Sequence, residues 1–308
     1  MSSSQPHPVI ELIHRRLAAG SRPGERSDDA RLAVAIEGGS ARAAYGGGMV
    51  WELETRGVLP ALDAVYGASA GALNAAWLVS GRVASGVRGW WEPQITNGVI
   101  SLRRALRGGA VVDSDHLVDH VYEHDTLMGY EEILASAVEF HPLATDAATG
   151  ESTDLAPLLR EKADVQAALR ATTRMPVLGG PPVTIDGHAY IDAGISEPVP
   201  AFTALAQGAT HVLVLRTRSP ELPRRPVSRL ERDLVGRWMR RHAPGALAAW
   251  ERREEHRREG ERLLADDPRI LQIAPPVDAP AISRVGRSEA TLRGAVAIGR
   301  RVTAAAFD

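Results

Sequence analysis

No cysteine occurs among the 308 residues, so disulfides, thiolate metal sites and a cysteine nucleophile are excluded. An excess of one charge is missing too: 36 basic side chains against 38 acidic ones leave a net charge of −2 and a pI near 6.6. A general nucleic-acid binder would carry a basic domain. No nucleic-acid partner is therefore expected, and any basic patch must be local. No apolar run approaches the length of a membrane span. The opening residues Met1 to Pro8 have neither the basic stretch nor the apolar core of a signal peptide. The expectation is a cytoplasmic protein whose membrane contact, if any, is peripheral. The length fits one large domain. Residues 1–30, an amphipathic stretch from Val9 to Leu17 followed by a polar, turn-rich segment, read as peripheral, and residues 31–308 as the domain.

Within that domain, strand-like and helix-like segments alternate. Buried-strand runs occur at 32–36, 62–66, 138–144, 211–215 and 270–273, and helical patterns at 43–56, 71–79, 114–137, 157–172, 201–207 and 282–306. This order predicts the α/β class: a three-layer α/β/α arrangement around a central, mostly parallel sheet, with ligands collecting at the carboxyl ends of the strands. Asp186-Gly187, between two short strands, predicts a tight hairpin. The helix over 43–56 contains Gly46-Gly47-Gly48, each costing about 1 kcal/mol against alanine. Close backbone packing against the 71–79 helix is the expected compensation.

Three stretches carry chemistry. The first is Gly67-Ala68-Ser69-Ala70-Gly71, between a strand and a helix. Gly67 and Gly71 let a sharp strand-to-helix turn close, and Ser69 at its tip reads as a nucleophile. The Ala70 N–H, in the first helical turn, is placed for an oxyanion. An ordinary serine N-cap is the alternative. The second stretch, Glu37-Gly38-Gly39-Ser40-Ala41-Arg42, leaves a strand and presents backbone N–H groups that can cradle a phosphate or an oxyanion. It has neither the Gly-x-Gly-x-x-Gly of dinucleotide sites nor the Gly-Lys-Ser/Thr of phosphate loops, so an oxyanion loop fits better. The third is Asp192-Ala193-Gly194, an acid delivered by the hairpin into a turn.

Other features have two readings. His116, His120 and His124 share one helical face, but no carboxylate motif accompanies them, so no metal is expected. Trp90 and Trp91, near Arg103, Arg104 and Arg107, fit either a lipid interface or core packing. Residues 224–264 form an Arg-rich helical segment broken near Pro244; between 224 and 262 twelve arginines face seven acids. A solvated amphipathic layer and a membrane-facing surface are both compatible with it.

The three stretches, in this order, resemble the patatin-like phospholipases, with their Gly-Gly-Gly-x-Arg-Gly loop, Gly-x-Ser-x-Gly and Asp-Gly-Gly or Asp-Gly-Ala. The stretches 168–176 and 182–192 also look like the family's approach to its acid, and the resemblance covers about residues 31–215. It implies a serine acyl hydrolase of phospholipase A type with a Ser69–Asp192 dyad and lipid acyl esters as substrate. It implies oxyanion donors at Gly38, Gly39, Ser40 and Ala70, Arg42 bracing the loop, and no metal or organic cofactor. Ser40, Ala43 and Ala193 depart from the pattern, each replacing a glycine. A φ > 0 at any of them would strain the loop. Rival readings are a triad that recruits His188 or His211, a weakly active relative that binds lipid or a protein partner, and a nucleotide-binding loop at Gly38.

Overall fold

The computed structural model describes residues 6–223 and 227–308. Met1 to Gln5, part of the segment read as peripheral, and residues 224–226, the start of the Arg-rich segment, lie outside it. Eight strands form one sheet: β1 Leu32–Ile36, β2 Ala64–Ala68, β3 Glu139–Asp146, β4 Ser152–Asp154, β5 Val183–Ile185, β6 His188–Ile191, β7 His211–Leu215 and β8 Ile270–Ile273. The order is β5-β6-β3-β2-β1-β7-β8, with β4 beside β3. The five strands from β3 to β8 run parallel. The hairpin β5–β6 adds antiparallel, turned by Asp186 and Gly187 at φ 48° and 83°.

Along β1 the side chains alternate between two apolar clusters, with Leu32, Val34 and Ile36 in one and Ala33 and Ala35 in the other. Both faces of the sheet are therefore covered, which is why the strands read as continuous apolar runs. The helices that matter most for the site are α1 Pro8–Ala18, α2 Ala44–Thr55, α3 Ala70–Ser80, α4 Lys162–Thr172, α5 Arg229–His242, α6 Leu247–Asp266 and α7 Glu289–Phe307. No described helix is long and apolar enough to cross a membrane.

Several elements differ from the sequence expectation. Residues 8–18, read as part of a peripheral segment, pack into the main core through Val9, Leu12 and Ile13. The buried Arg16 guanidinium meets Asp28 and Asp63, each at 2.7 Å, and the carbonyls of Ala30 and Ala61. The stretch 114–137 is not one helix: a π-helical turn over Leu117–Asp125 is followed by an irregular link and a short helix over Tyr130–Ala135. Helix α4 starts at Lys162 rather than Pro157, because Glu161 and Asp164 form a reciprocal capping box there. Helix α7 starts at Glu289 behind a Ser288 cap, leaving 282–288 as a loop that reaches the glycine-rich stretch. The glycine run in α2 faces two ways. A Cβ on Gly46 or Gly47 would crowd Asn74 of α3 or Trp90, whereas one on Gly48 would lie 2.0 Å from the Val296 carbonyl of α7. In return, a Cβ on Gly299 would lie 2.0 Å from the Tyr45 carbonyl.

Candidate active site

Ser69 stands between β2 and α3 with φ 53° and ψ −131°, an unfavourable conformation for a residue with a Cβ. Gly67 and Gly71 do not share it, since neither has a positive φ. They are small because the chain closes on itself. A Cβ on Gly67 would lie 2.3 Å from Ala72 Cα, and one on Gly71 2.3 Å from the Ile36 carbonyl oxygen. The strain sits on Ser69 itself, and packing holds it there. Its N–H donates to Thr172 Oγ1 at 2.8 Å, fixing the turn to the end of α4.

Strand register brings Asp192 to it. Ala68 pairs with Leu143 and Ile191 with Thr145, so the next residue of each chain, Ser69 and Asp192, flanks Ala144 from opposite sides. Ser69 Oγ donates to Asp192 Oδ2 at 2.6 Å, and the Gly194 N–H donates to Oδ1 at 2.7 Å. Asp192 N–H donates to the Arg174 carbonyl at 3.0 Å, and its carbonyl accepts from Thr145 Oγ1 at 2.9 Å. Both carboxylate oxygens are thus occupied. Burial pushes the Asp192 carboxyl up to about 6, against the Ser69 and Gly194 hydrogen bonds and the nearby charge of Arg284, which lower it.

The glycine-rich loop is held from below by a buried ion network. Glu37 Oε2 accepts from Arg216 Nε at 3.1 Å and from the Thr217 N–H at 2.8 Å. Arg216 also meets Glu261 at 2.7 Å, and Thr217 Oγ1 donates to the Gly38 carbonyl at 2.9 Å. Gly38 itself needs correction as an oxyanion donor: its N–H donates to the Pro198 carbonyl at 3.0 Å. A Cβ there would lie 2.8 Å from the Ala68 carbonyl oxygen, so close approach to the turn explains the glycine. The N–H groups of Gly39, Ser40 and Ala70 meet no acceptor among the described residues. Of the three departures from the family pattern, only Ser40 has φ > 0, at 51°; Ala43 and Ala193 are unstrained. Asn74 ties the loop's end to α3, its Nδ2 donating to the Ala43 carbonyl while its Oδ1 accepts from Trp90 Nε1, both at 2.9 Å.

With this geometry in place, comparison with known proteins gives a family. The sequence profile described as patatin-like phospholipase matches residues 34–205. The chain belongs to this family. It is also similar to a protein of Escherichia coli (strain K12), YjjU, described as uncharacterized, at 27% identity over 191 residues. That match covers 61% of this chain and 52% of the relative, so it spans about half of the relative's own length. The mostly parallel sheet flanked by helices is the patatin-like α/β/α fold, and the family is one of lipid acyl hydrolases.

In this patatin-like domain Ser69 lies in the walls of two cavities. One, of about 90 Å³, is apolar and lined by Leu73, Trp77, Trp90, Val99, Val121 and Leu292. The other, of about 110 Å³, holds Asp192 and is lined by Arg42, Arg257, Arg284 and Trp250. The half-buried Trp90 packs between α2 and the apolar cavity.

The alternative histidines do not gather here. His188 is 68% exposed, and its Nδ1 lies 3.9 Å from Asp146. His211 sits at the start of β7, with Nδ1 2.9 Å from Thr210 Oγ1, away from the carboxyl ends of the parallel strands. The His116 and His120 rings stack with centroids 5.0 Å apart, and the His124 ring lies tilted 4.9 Å from that of His120. Among the described residues no group of His, Asp and Glu is arranged to hold a metal ion. Thr145, Arg216 and Thr217 were not singled out from the sequence, and Thr172 only as part of the stretch 168–176. Each acts through a partner more than 25 residues away.

Proposed function

We propose that the protein is a serine acyl hydrolase of phospholipase A type, acting on lipid acyl esters through Ser69 and Asp192. The observation that carries this reading is the 2.6 Å hydrogen bond from Ser69 Oγ to Asp192 Oδ2, within reach for general-base catalysis. A carboxyl raised to about 6 is a stronger base than an ordinary aspartate and is still mostly ionised at neutral pH.

In the first step Ser69 Oγ attacks the ester carbonyl carbon and its proton passes to Asp192. The tetrahedral oxyanion is received by the N–H groups of Gly39, Ser40 and Ala70, with the first turn of α3 adding its dipole. Collapse breaks the ester C–O bond, and the alcohol leaves with the proton from Asp192. Water then attacks the acyl-enzyme carbonyl as Asp192 takes a proton from it; the Ser69 Oγ–acyl bond breaks, Asp192 returns the proton to Oγ, and the carboxylic acid departs. The acyl chain occupies the apolar cavity beside Leu73 and Trp77. Lipid is reached from a membrane surface by the edge around the exposed Leu102 and Leu106, beside Arg103 and Arg107. The test is turnover of short- and long-chain p-nitrophenyl esters together with fluorophosphonate labelling. No turnover and no label on Ser69 would sink the reading.

A second reading, a weakly active protein that binds lipid, is motivated by Ser40 at φ 51° and by the engagement of the Gly38 N–H with Pro198. Lipid binding that survives Ser69→Ala, with no ester cleaved by the unaltered protein, would favour it.

A further inference from the structure

A third cavity, of about 600 Å³, is several times larger than the two at Ser69, and neither Ser69 nor Asp192 stands in its wall. It lies between α6 and the stretches 149–152 and 195–202. Val199, Phe202 and Leu264 make part of the wall apolar, and Arg252, Arg253 and His256 line it from α6. A space of this size takes a small organic molecule.

Arg253 is the anomaly in that wall. Four arginines are buried among the described residues. Arg16 meets Asp28 and Asp63, Arg174 meets Asp115 through both terminal nitrogens, and Arg216 meets Glu37 and Glu261. Arg253, 4% exposed, has no such acid. It donates to the Trp250 carbonyl and stacks 3.3 Å from the Trp250 ring centroid, and the one carboxylate within 4 Å among the described residues, that of Glu254, stays 3.8 Å from its Nε. Burial works against the charge at Arg16, Arg216 and Arg253 alike. Acid partners more than offset it at the first two, whose guanidinium groups sit above the usual arginine value, whereas Arg253 sits below. Stacking on an indole returns only part of what a buried ion loses on leaving water.

The acids of the cavity do not fill the gap. Glu261 meets Arg216 at 2.7 Å, and Glu197 accepts the Thr203 N–H and hydroxyl at 3.0 and 2.5 Å. Burial pushes the Glu197 carboxyl up toward its neutral form, so it repels an incoming anion weakly. Glu151 and Glu259 are exposed.

One stretch of wall serves two cavities, since Ile195 and Pro198 also line the one that holds Asp192. The Pro198 carbonyl accepts the Gly38 N–H at 3.0 Å, and the Glu197 N–H donates to the Ala193 carbonyl at 2.8 Å. Ser196 Oγ lies 2.8 Å from Thr145 Oγ1, which donates to the Asp192 carbonyl. A molecule seated in the large cavity therefore bears on the backbone that fixes the glycine-rich loop and Asp192.

We propose that this cavity is an effector site for a small organic monocarboxylate, whose carboxylate pairs with Arg253 and whose apolar body lies against Phe202 and Leu264. A planar carboxylate accepts two parallel N–H bonds from a guanidinium fork, giving Arg253 the kind of partner that the other three buried arginines have. The effect on ester cleavage rests on the hydrolase reading above; the binding does not.

The experiment uses the full chain and two probes of one shape, 3-phenylpropionate and its neutral amide. In calorimetry the acid should bind at least about tenfold more tightly than the amide, the worth of one charge-assisted hydrogen bond. Arg253→Met should remove that preference. Because it deletes a buried charge that lacks an acid, this variant should melt no lower than the unaltered protein, and the acid should raise the Tm of the unaltered protein alone. Equal binding of acid and amide, or binding unchanged in Arg253→Met, overturns the proposal. So does a variant that melts well below the unaltered protein, which would show the guanidinium satisfied where it is. Inorganic phosphate binding more tightly than the acid overturns the ligand class. Capping Ser69 with a fluorophosphonate should leave acid binding intact; its loss would put the acid in the reaction site instead. With the acid bound, the rate of that labelling should change by about fivefold or more, and an unchanged rate overturns the effector role. If Ser69 takes no label at all, the hydrolase reading falls and the calorimetric result stands by itself. Octanoate, the kind of acid that ester cleavage releases, is titrated alongside. Tighter binding than 3-phenylpropionate makes the effector a product, and weaker binding makes it an acid from elsewhere.

Discussion

The Arg284 carbonyl accepts the Ser40 hydroxyl at 2.6 Å, fastening the glycine-rich loop to the loop before α7. Ser40 holds φ 51°, which costs a non-glycine residue roughly 1 kcal/mol, and the hydroxyl contact returns about the same amount. Ser40→Gly removes both and should be close to neutral in thermal stability. Ser40→Ala keeps the strain and loses the bond, so its Tm should fall below that of Ser40→Gly. Equal or reversed Tm values would show that the hydroxyl does not hold the loop.

Removing the Ser69 hydroxyl should abolish ester turnover and fluorophosphonate labelling. Asp192→Asn should lower kcat/KM by a factor of about 10²–10⁴, the range for loss of a general base. His188→Ala should leave turnover within a factor of two. A loss in His188→Ala matching that of Asp192→Asn would replace the dyad with a triad.

In the proposed mechanism Asp192 must be ionised to accept the Ser69 proton, so kcat/KM should fall on acidification with a midpoint near pH 6, the value to which burial raises the carboxyl. Above that midpoint the profile should be flat up to about pH 8. A midpoint near 4 would place the working carboxyl in water and contradict the buried geometry.

The same carboxyl should make stability pH-dependent. The folded chain holds the Asp192 proton up to about pH 6, while the reference carboxyl loses it near 3.8. Between these values the folded state binds more protons than the unfolded one, so this group's contribution to stability declines as pH rises and is lowest above 6. The shift amounts to about 3 kcal/mol at pH 8. Asp192→Asn should therefore melt at a higher temperature than the unaltered protein at pH 8, with the gap closing as pH falls below 6. A variant less stable at every pH would contradict this.

Arg216→Ala removes the guanidinium that Glu37 meets at 3.1 Å, and breaking a buried pair costs about 3–5 kcal/mol. Chemical denaturation should detect the loss. Turnover of the remaining folded protein should also fall, because Glu37 holds the Thr217 N–H and Thr217 holds the Gly38 carbonyl. Unchanged stability would mean that Glu37 finds another partner.

The layers, the parallel strands and the hairpin were legible because the strands are apolar on both faces and Asp186-Gly187 dictates its turn. The sharp turn at Ser69 and the acid leaving the hairpin at Asp192 were legible because small residues flank each of them. What the glycines do was not. Gly67 and Gly71 were read as letting the turn close, and the means by which they do so, the absence of a Cβ where the chain packs on itself, shows only in the fold. Gly38 was read as a donor, and the acceptor that occupies it, Pro198, lies far along the chain. The burial of residues 8–18 escaped notice for a similar reason. Arg16 looks like a surface residue until Asp28 and Asp63 are placed around it.

The family signature stops at 205, but the sheet does not. Strands β7 and β8 complete it, Arg216 and Thr217 clamp the glycine-rich loop, and Gly48 and Gly299 let α2 and α7 touch backbone to backbone. The loop that faces Ser69 thus inherits its shape from a part of the chain in which the signature is silent. Two relatives identical through the signature, but diverged after it, would share the turn at Ser69 and differ in the loop that faces it. Exchanging the segments beyond 205 between such relatives should move activity with the segment that carries no catalytic residue.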